Sequence, residues 1–267
     1  MRLETLAIHA GGEADPQTGA VAPPIHLATT FRHGPAGERT AGHEYQRESN
    51  PTQDRLEAAL AALEGGEAAL AFGSGMAAIT ALFDSLPNGA RVLIPDDCYS
   101  GTRFLAREFL PERGIVATMV DMSDLNAVRA AADGIALIWA ETPSNPRMKV
   151  CDIAALAEIA HDADAALACD NTFATPVLQR PLSLGADVVM HSTTKYFGGH
   201  SDVLGGALAF ARRDGVIRMR RQAWPKHGFH ARMCAQVLRD DARIAAVPGH
   251  ARRQRTQSAQ GQPDVER

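Results

Sequence analysis

The chain has 267 residues, of which 45% are hydrophobic and 5% aromatic, and its formal net charge is −4. This size suits one large domain with a sizeable core, and no run of about 18 apolar residues predicts a membrane span. The first residues lack the apolar stretch of a signal peptide, and the four cysteines are scattered without a C-x-x-C pair. We therefore expect a cytoplasmic protein with neither a disulfide framework nor a metal site.

The first 50 residues are rich in glycine and proline, including Gly11, Gly12, Pro23 and Pro24. Both residue types interrupt regular helices and strands. This segment is therefore predicted to be an extended arm rather than a set of packed helices.

From residue 51 onwards, short apolar runs alternate with helical patterns. In residues 52–63, Leu56, Leu60 and Leu63 fall on one face of a predicted helix. Strands are predicted at residues 68–72, 91–94, 115–120, 136–139, 166–169, 187–190 and 207–210. Further helices are predicted at residues 76–85, 101–109, 125–131 and 153–161. This alternation predicts an α/β sheet covered on both faces, with ligands bound at the carboxyl ends of the strands.

The charge distribution changes abruptly near residue 212. Residues 1–211 carry 14 basic and 26 acidic side chains, a net charge of −12, whereas residues 212–267 carry 13 and 5, a net charge of +8. Such a break indicates a boundary. The basic tail has no nucleic-acid-binding motif and no interleaved aromatic residues, so we do not expect it to bind nucleic acid.

Lys195 is one of three lysines in a chain that otherwise uses arginine. An amine can lose its proton and attack a carbonyl, which a guanidinium cannot do. Ser192 and Thr194 lie close to it in sequence and suit an anion such as phosphate. The pattern is typical of an enzyme that uses pyridoxal 5'-phosphate (PLP), although a loop lysine with incidental hydroxyl neighbours would look the same.

Two further segments suit the same cofactor. Gly75 and Met76 follow a predicted strand and open a predicted helix, where free backbone N–H groups bind phosphate. An ordinary tight turn would show the same residues. Asp170 ends another predicted strand and could pair with the pyridinium nitrogen of PLP, or it could simply cap a turn.

Three more residues are candidates from their chemistry. Tyr99 could stack on a flat ring, or it could be a buried tyrosine. Tyr45 and Arg47 offer a phenol and a guanidinium suited to a phosphate dianion. They could equally be surface residues ahead of the helix that begins near Pro51.

In chain order, these pieces resemble the cystathionine γ-synthase/γ-lyase family, the PLP-dependent enzymes of Cys/Met metabolism. The resemblance runs from about Leu6 to about Arg221. The matching stretches are Tyr45-x-Arg47-x-x-Asn50-Pro51-Thr52, Ser74-Gly75-Met76-Ala77-Ala78, Tyr99-x-Gly101-Thr102, Glu141-Thr142-Pro143-Ser144-Asn145-Pro146, Asp170-Asn171-Thr172-Phe173 and Ser192-x-Thr194-Lys195-Tyr196-x-x-Gly199-His200-Ser201-Asp202.

The resemblance implies catalytic roles for Lys195, Tyr99 and Asp170. Lys195 would join the cofactor through an imine and move protons, Asp170 would hold the ring nitrogen, and Tyr99 would stack on the ring. The full set that the resemblance implies for binding PLP is Tyr45, Arg47, Gly75, Met76, Tyr99, Asn145, Asp170, Thr172, Ser192, Thr194 and Lys195.

The resemblance also implies a fold and an assembly. Residues 51–223 would form an aspartate-aminotransferase-like large domain (PLP fold type I) with a mostly parallel seven-stranded sheet. Residues 1–50 would be an arm that contacts the neighbouring subunit of a homodimer or homotetramer. The family's small C-terminal domain would be largely missing, and residues 224–267 would be an Arg-rich disordered tail. A truncation or frame shift after about residue 223 is our hypothesis for this ending.

The implied reaction is γ-elimination or γ-replacement on an amino acid, by a cystathionine γ-lyase or γ-synthase. The substrate would be cystathionine, or an O-acylhomoserine together with cysteine. Gly101 stands where methionine γ-lyases carry a cysteine, which disfavours that activity. Two alternatives stay open: a PLP-binding remnant with impaired catalysis, and a non-catalytic interaction protein.

Overall fold

A seven-stranded sheet forms the centre of residues 1–215, the part of the chain that the computed structural model describes. Its strand order is β1-β7-β6-β5-β4-β2-β3. Neighbouring strands are parallel except around β7, which is antiparallel to both β6 and β1. The strands are β1 Ala68–Phe72, β2 Arg91–Pro95, β3 Val116–Val120, β4 Leu137–Glu141, β5 Ala166–Asp170, β6 Val188–His191 and β7 Gly206–Phe210. The mostly parallel seven-stranded sheet is therefore confirmed.

Three of the strands extend one or two residues past their predicted ends, and each of these three ends at a polar residue. Strands β4, β5 and β6 end at Glu141, Asp170 and His191, which the apolar pattern left outside. Glu141 and Asp170 nevertheless pair in register between β4 and β5. Backbone hydrogen bonding thus carries each strand one residue beyond its apolar run.

Seven α-helices accompany the sheet in the described residues. They are α1 Leu3–His9, α2 Pro51–Glu64, α3 Gly75–Asp84, α4 Ser100–Phe104, α5 Leu125–Ala131, α6 Ile153–Asp162 and α7 Thr175–Leu178. Helix α2 shows why the predicted boundaries are close: the Asn50 side chain accepts a hydrogen bond from the Gln53 amide at 2.9 Å. Pro51 occupies the first turn, and Gly65 ends the helix with a φ of 75°.

The core lies on both faces of the sheet because successive strand residues point to opposite sides. In β2, Val92 and Ile94 pack in the cluster that contains α3, whereas Leu93 packs in the cluster that contains α6. Helix α2 covers the latter face over β1, β6 and β7. Both faces are thus covered, as predicted.

The prediction that the arm contains no packed helix is wrong for its first turns. Residues Leu3–His9 form α1, whose Leu3, Leu6 and Ala7 pack against the cluster that contains α2. These seven residues precede the first glycine and place their apolar side chains at helical spacing. Beyond α1, the arm has no further helix up to residue 50.

Predicted helix 101–109 is regular only in its first half. Helix α4 ends at Phe104, the chain continues as a π-helical turn over Leu105–Phe109, and Leu110–Arg113 is a 3-10 turn. Pro111 lacks a backbone donor, and Gly114 ends the segment in a left-handed conformation.

The predicted domain end near residue 223 and the tail at residues 224–267 lie outside the described residues. Within residues 1–215, no helix has the length and apolar character needed to cross a membrane.

Candidate active site

A cavity of about 700 Å³ opens at the carboxyl ends of the parallel strands, on the face that α3 covers. Parallel strands bring their carboxyl ends to one edge, so residues far apart in sequence meet there. Nine of the residues predicted to bind a cofactor line it: Gly75, Met76, Tyr99, Asn145, Asp170, Thr172, Ser192, Thr194 and Lys195.

Lys195 lies in the turn that follows β6, with an exposed side chain that lines the cavity. Its backbone amide donates to the Ser192 carbonyl at 3.0 Å, which tightens the turn. The side chain thus shares the cavity with Asp170 from the neighbouring strand. This arrangement brings an amine and a carboxyl group to one ligand-sized space.

The start of α3 forms a close junction with the end of β6. The Ser74 side chain accepts a hydrogen bond from the Ala77 amide at 3.1 Å and caps the helix. A Cβ atom on Gly75 would lie 2.9 Å from the Ser192 Cβ atom, so only glycine allows this approach. The first turn of α3 therefore offers its amides to the cavity next to the Ser192 hydroxyl.

The hydroxyl groups of Thr172 and Thr194 form hydrogen bonds with the backbone on either side of this junction. The Ser192 amide donates to the Thr172 hydroxyl at 2.9 Å. The Thr194 hydroxyl donates to the Gly205 carbonyl at 3.1 Å and accepts from the Gly205 amide at 3.0 Å. To bind an anion, Thr194 would have to turn its hydroxyl proton away from Gly205.

Asp170 is 8% exposed at the end of β5. Burial raises the pKa of this carboxyl group above its ordinary value, while hydrogen bonds from Thr172 and the nearby His191 act in the opposite direction. The Thr172 amide donates to it at 3.0 Å. A cation in the cavity would stabilise the ionised form of Asp170. A protonated pyridine nitrogen is such a cation.

Glu141 is the residue for which the sequence suggested no role. It is 5% exposed, lines the cavity, and accepts hydrogen bonds from the Tyr99 amide at 2.9 Å and the Asn145 amide at 2.8 Å. Burial, and secondly the neighbouring Asp170, raise its pKa to about 8. The sequence did contain a signal for Glu141. It is an acidic residue at the end of an apolar strand run, as is Asp170.

Tyr45 and Arg47 are the two predicted cofactor residues that do not line the cavity of their own chain. The Arg47 guanidinium lies 4.7 Å from the centroid of the Tyr45 ring, and that tyrosine is 36% exposed. Their predicted contact with the site of a neighbouring subunit stays a prediction.

The other face of the same sheet edge holds a buried polar network. Glu64, at the end of α2, contacts the His191 Nε2 atom and accepts from the Asn171 side-chain amide at 2.9 Å. Gln179 donates to Asn171 at 2.9 Å and to the Thr142 carbonyl at 2.8 Å. This network joins α2 to the ends of β4, β5 and β6 without reaching the cavity. His191 thus belongs to this buried network and not to the lining of the cavity.

The proteins that resemble this chain in sequence and in structure point to one family. The family model described as "Cys/Met metabolism PLP-dependent enzyme" matches residues 4–229. The cystathionine gamma-synthase of Mycobacterium bovis is 52% identical over 206 residues, which are 76% of this chain and 53% of that protein. The cystathionine gamma-lyase of Bacillus subtilis is 46% identical over 215 residues, which are 80% and 56% of the two chains. The crystal structure of metB from Corynebacterium glutamicum has a TM-score of 0.89 at 36% identity and covers 100% of this chain and 71% of that one.

The sheet, its carboxyl-edge cavity and the structural match define the class of PLP fold type I proteins. The chain belongs to the family of PLP-dependent enzymes of Cys/Met metabolism. The cofactor of this family is PLP. The chain spans about half the length of the curated relatives it matches.

Proposed function

We propose that this chain provides the PLP site of an enzyme that carries out γ-elimination or γ-replacement in cysteine and methionine metabolism. The observation that carries the proposal is the convergence of Lys195, Asp170 and Tyr99 on one cavity of about 700 Å³. Three separate strand ends contribute these residues, which a chance turn motif would not explain.

The residues of the cavity fit PLP. Asp170 is a buried carboxyl group that a ring cation would stabilise, and Lys195 supplies an amine. At Gly75 the space that a Cβ atom would fill lies against Ser192, beside the first amides of α3. This is a cradle for phosphate, because helix N-termini favour anions.

Each residue has a distinct task in the proposed reaction. When bound, PLP supplies an aldehyde that takes up the substrate amine and a ring that accepts electrons from the Cα–H bond. The Lys195 Nζ atom, when neutral, removes the Cα proton and returns protons to the product. Asp170 would keep the ring nitrogen protonated. Tyr99 would stack on the ring, and Asn145 would lie near the ring hydroxyl.

The phosphate and the assembly complete the proposal. Gly75, Met76, Ser192 and Thr194 would bind the phosphate, and Thr172 holds Ser192 in position through the hydrogen bond from the Ser192 amide. Tyr45 and Arg47 belong to the site of the neighbouring subunit, so the functional unit is a homodimer or homotetramer. The substrate is cystathionine, or an O-acylhomoserine with cysteine, and the reaction takes place in the cytoplasm.

The first experiment is a visible absorption spectrum of the purified chain incubated with PLP. We expect a band that is absent in Lys195→Ala. Lys149→Ala is the matched control, because the Lys149 amine pairs with Asp96 and Asp121 outside the cavity. A wild-type protein without the band, or a band that persists in Lys195→Ala, would contradict the proposed site.

A second readout separates cofactor binding from turnover. Cystathionine is assayed for release of cysteine and a 2-oxo acid, and O-acylhomoserine with cysteine is assayed for formation of cystathionine. The first product identifies a γ-lyase and the second a γ-synthase. A protein that shows the band but forms neither product would be a cofactor-binding protein with impaired catalysis.

A further inference from the structure

Glu141 connects two walls of the cavity through one carboxyl group. One oxygen accepts from the Tyr99 amide at 2.9 Å, and the other accepts from the Asn145 amide at 2.8 Å. Tyr99 follows β2, whereas Asn145 follows β4. The position of each backbone segment in the cavity therefore depends on the same side chain.

Glu141 also lies beside a second buried carboxyl group. It pairs in register with Asp170 between the parallel strands β4 and β5, so both side chains point to the same face. Both are more than nine-tenths buried and both line the cavity. When two carboxyl groups lie this close in a buried site, the ionised form of one raises the pKa of the other, so both ionise at neutral pH only with a nearby cation.

The charged groups that act most strongly on Glu141 are the acidic Asp170 and Asp97, which do not supply that cation. Asp97 and the Cys98 thiol, which precede Tyr99, add negative charge or none. Arg147 pairs with Asp97 at 3.9 Å, and its side chain is 69% exposed. Across the cavity, Lys195 is exposed on the turn after β6.

We propose that Glu141 is a positioning residue that holds the Tyr99 and Asn145 backbones and releases a proton when a cation binds beside Asp170. The proton passes from the Glu141 carboxyl group to solvent, and the carboxylate then accepts both amide hydrogen bonds as a charged group. This inference rests on the proposed function to the extent that the cation is the protonated ring nitrogen of PLP. The pKa of Glu141, raised to about 8 by burial and by Asp170, agrees with a proton held at neutral pH.

The first test uses the protein without PLP and measures the unfolding free energy against pH. The folded chain keeps the Glu141 proton up to about pH 8, whereas the unfolded chain loses it near pH 4.5. Stability should therefore fall as pH rises through this window. Glu141→Gln removes this titration, so its stability should fall less steeply. Glu158→Gln, the same change on the exposed side of α6, should follow the wild-type slope.

The slope of stability against pH distinguishes a Glu141 that holds a proton from a Glu141 that only supports the fold. The side-chain amide introduced by Glu141→Gln would keep one acceptor and lose the other, which lowers stability equally at every pH. A variant curve that is only displaced, and runs parallel to the wild-type curve, would overturn the proposal. A shallower curve supports it.

The second test measures proton release when PLP binds, by calorimetry in buffers of different ionisation enthalpy at neutral pH. Wild-type protein should release about one proton more than Glu141→Gln. Equal proton release in the two proteins would overturn the proposal. A wild-type protein that binds no PLP would contradict the proposed function, and the pH slopes of the unliganded protein would then decide whether Glu141 holds its proton.

Discussion

The two faces of one sheet edge differ in what their buried polar groups do. On the cavity side, Asp170 and Glu141 have raised pKa values and face a ligand-sized space. On the other side, Glu64 contacts His191 and accepts from Asn171 within a buried polar network. Asp170 and Asn171 are neighbours in the chain, yet one belongs to the site and the other to its support. Strand alternation thus separates reactive groups from structural ones at one-residue spacing.

The largest expected effect on this comparison comes from Glu64→Leu. The His191 Nε2 atom would lose its buried partner, and the Asn171 amide would lose one acceptor. Removing one member of a buried pair costs about 3–5 kcal/mol. Urea unfolding of the protein without PLP measures this loss. A change below about 1 kcal/mol would show that the buried polar network is not what stabilises this edge.

Asp170→Asn, unlike Glu64→Leu, should lower turnover and leave the stability of the unliganded protein undiminished. We expect turnover to fall by about 10²–10³-fold, because the ring nitrogen loses its charged partner. The raised pKa of Asp170 means that this carboxyl group opposes folding at neutral pH, so the unliganded variant should unfold at no lower urea concentration. Steady-state kinetics and urea unfolding check the two parts. Unchanged turnover would remove Asp170 from the proposed reaction.

Asn171→Leu is the matched substitution at the next position. It keeps the approximate side-chain size but removes the donor to Glu64 and the acceptor of Gln179. We expect a loss of about 1–3 kcal/mol of unfolding free energy. The PLP absorption band of the folded protein should remain. A variant that is stable but has lost the band would show that the two faces are not separate in function.

The smallest expected effects compare the caps of α2 and α3, one on each face. Asn50→Ala and Ser74→Ala each remove a side-chain acceptor from a helix start and should cost about 1 kcal/mol. Only Ser74 lines the cavity. A PLP titration should therefore show weaker binding for Ser74→Ala alone. Equal PLP affinity in both variants would argue against phosphate binding at the start of α3.

The local sequence predicts helix and strand bounds best where an apolar pattern is clearly delimited. Helix α5 and strand β1 have the predicted bounds, because their periodicity stands between clear breakers. Nine predicted site residues line one cavity because each follows or ends a predicted strand. The prediction was wrong at the start of the arm. The glycines and prolines after residue 10 indicated an extended segment, but the seven-residue α1 precedes them and packs against α2, and no local sequence pattern predicts that contact.

The amino-acid sequence by itself determined the alternation of strands and helices and the family, and it predicted Lys195 and Asp170 as the groups for the proposed chemistry. Only the tertiary structure decided that Glu141 spans Tyr99 and Asn145 beside Asp170. It likewise decided that Glu64 meets His191 across 127 positions of the chain. The physical reason is that a carboxyl group's protonation and partners depend on burial and neighbouring charges, which are set by strand order and register rather than by adjacent residues.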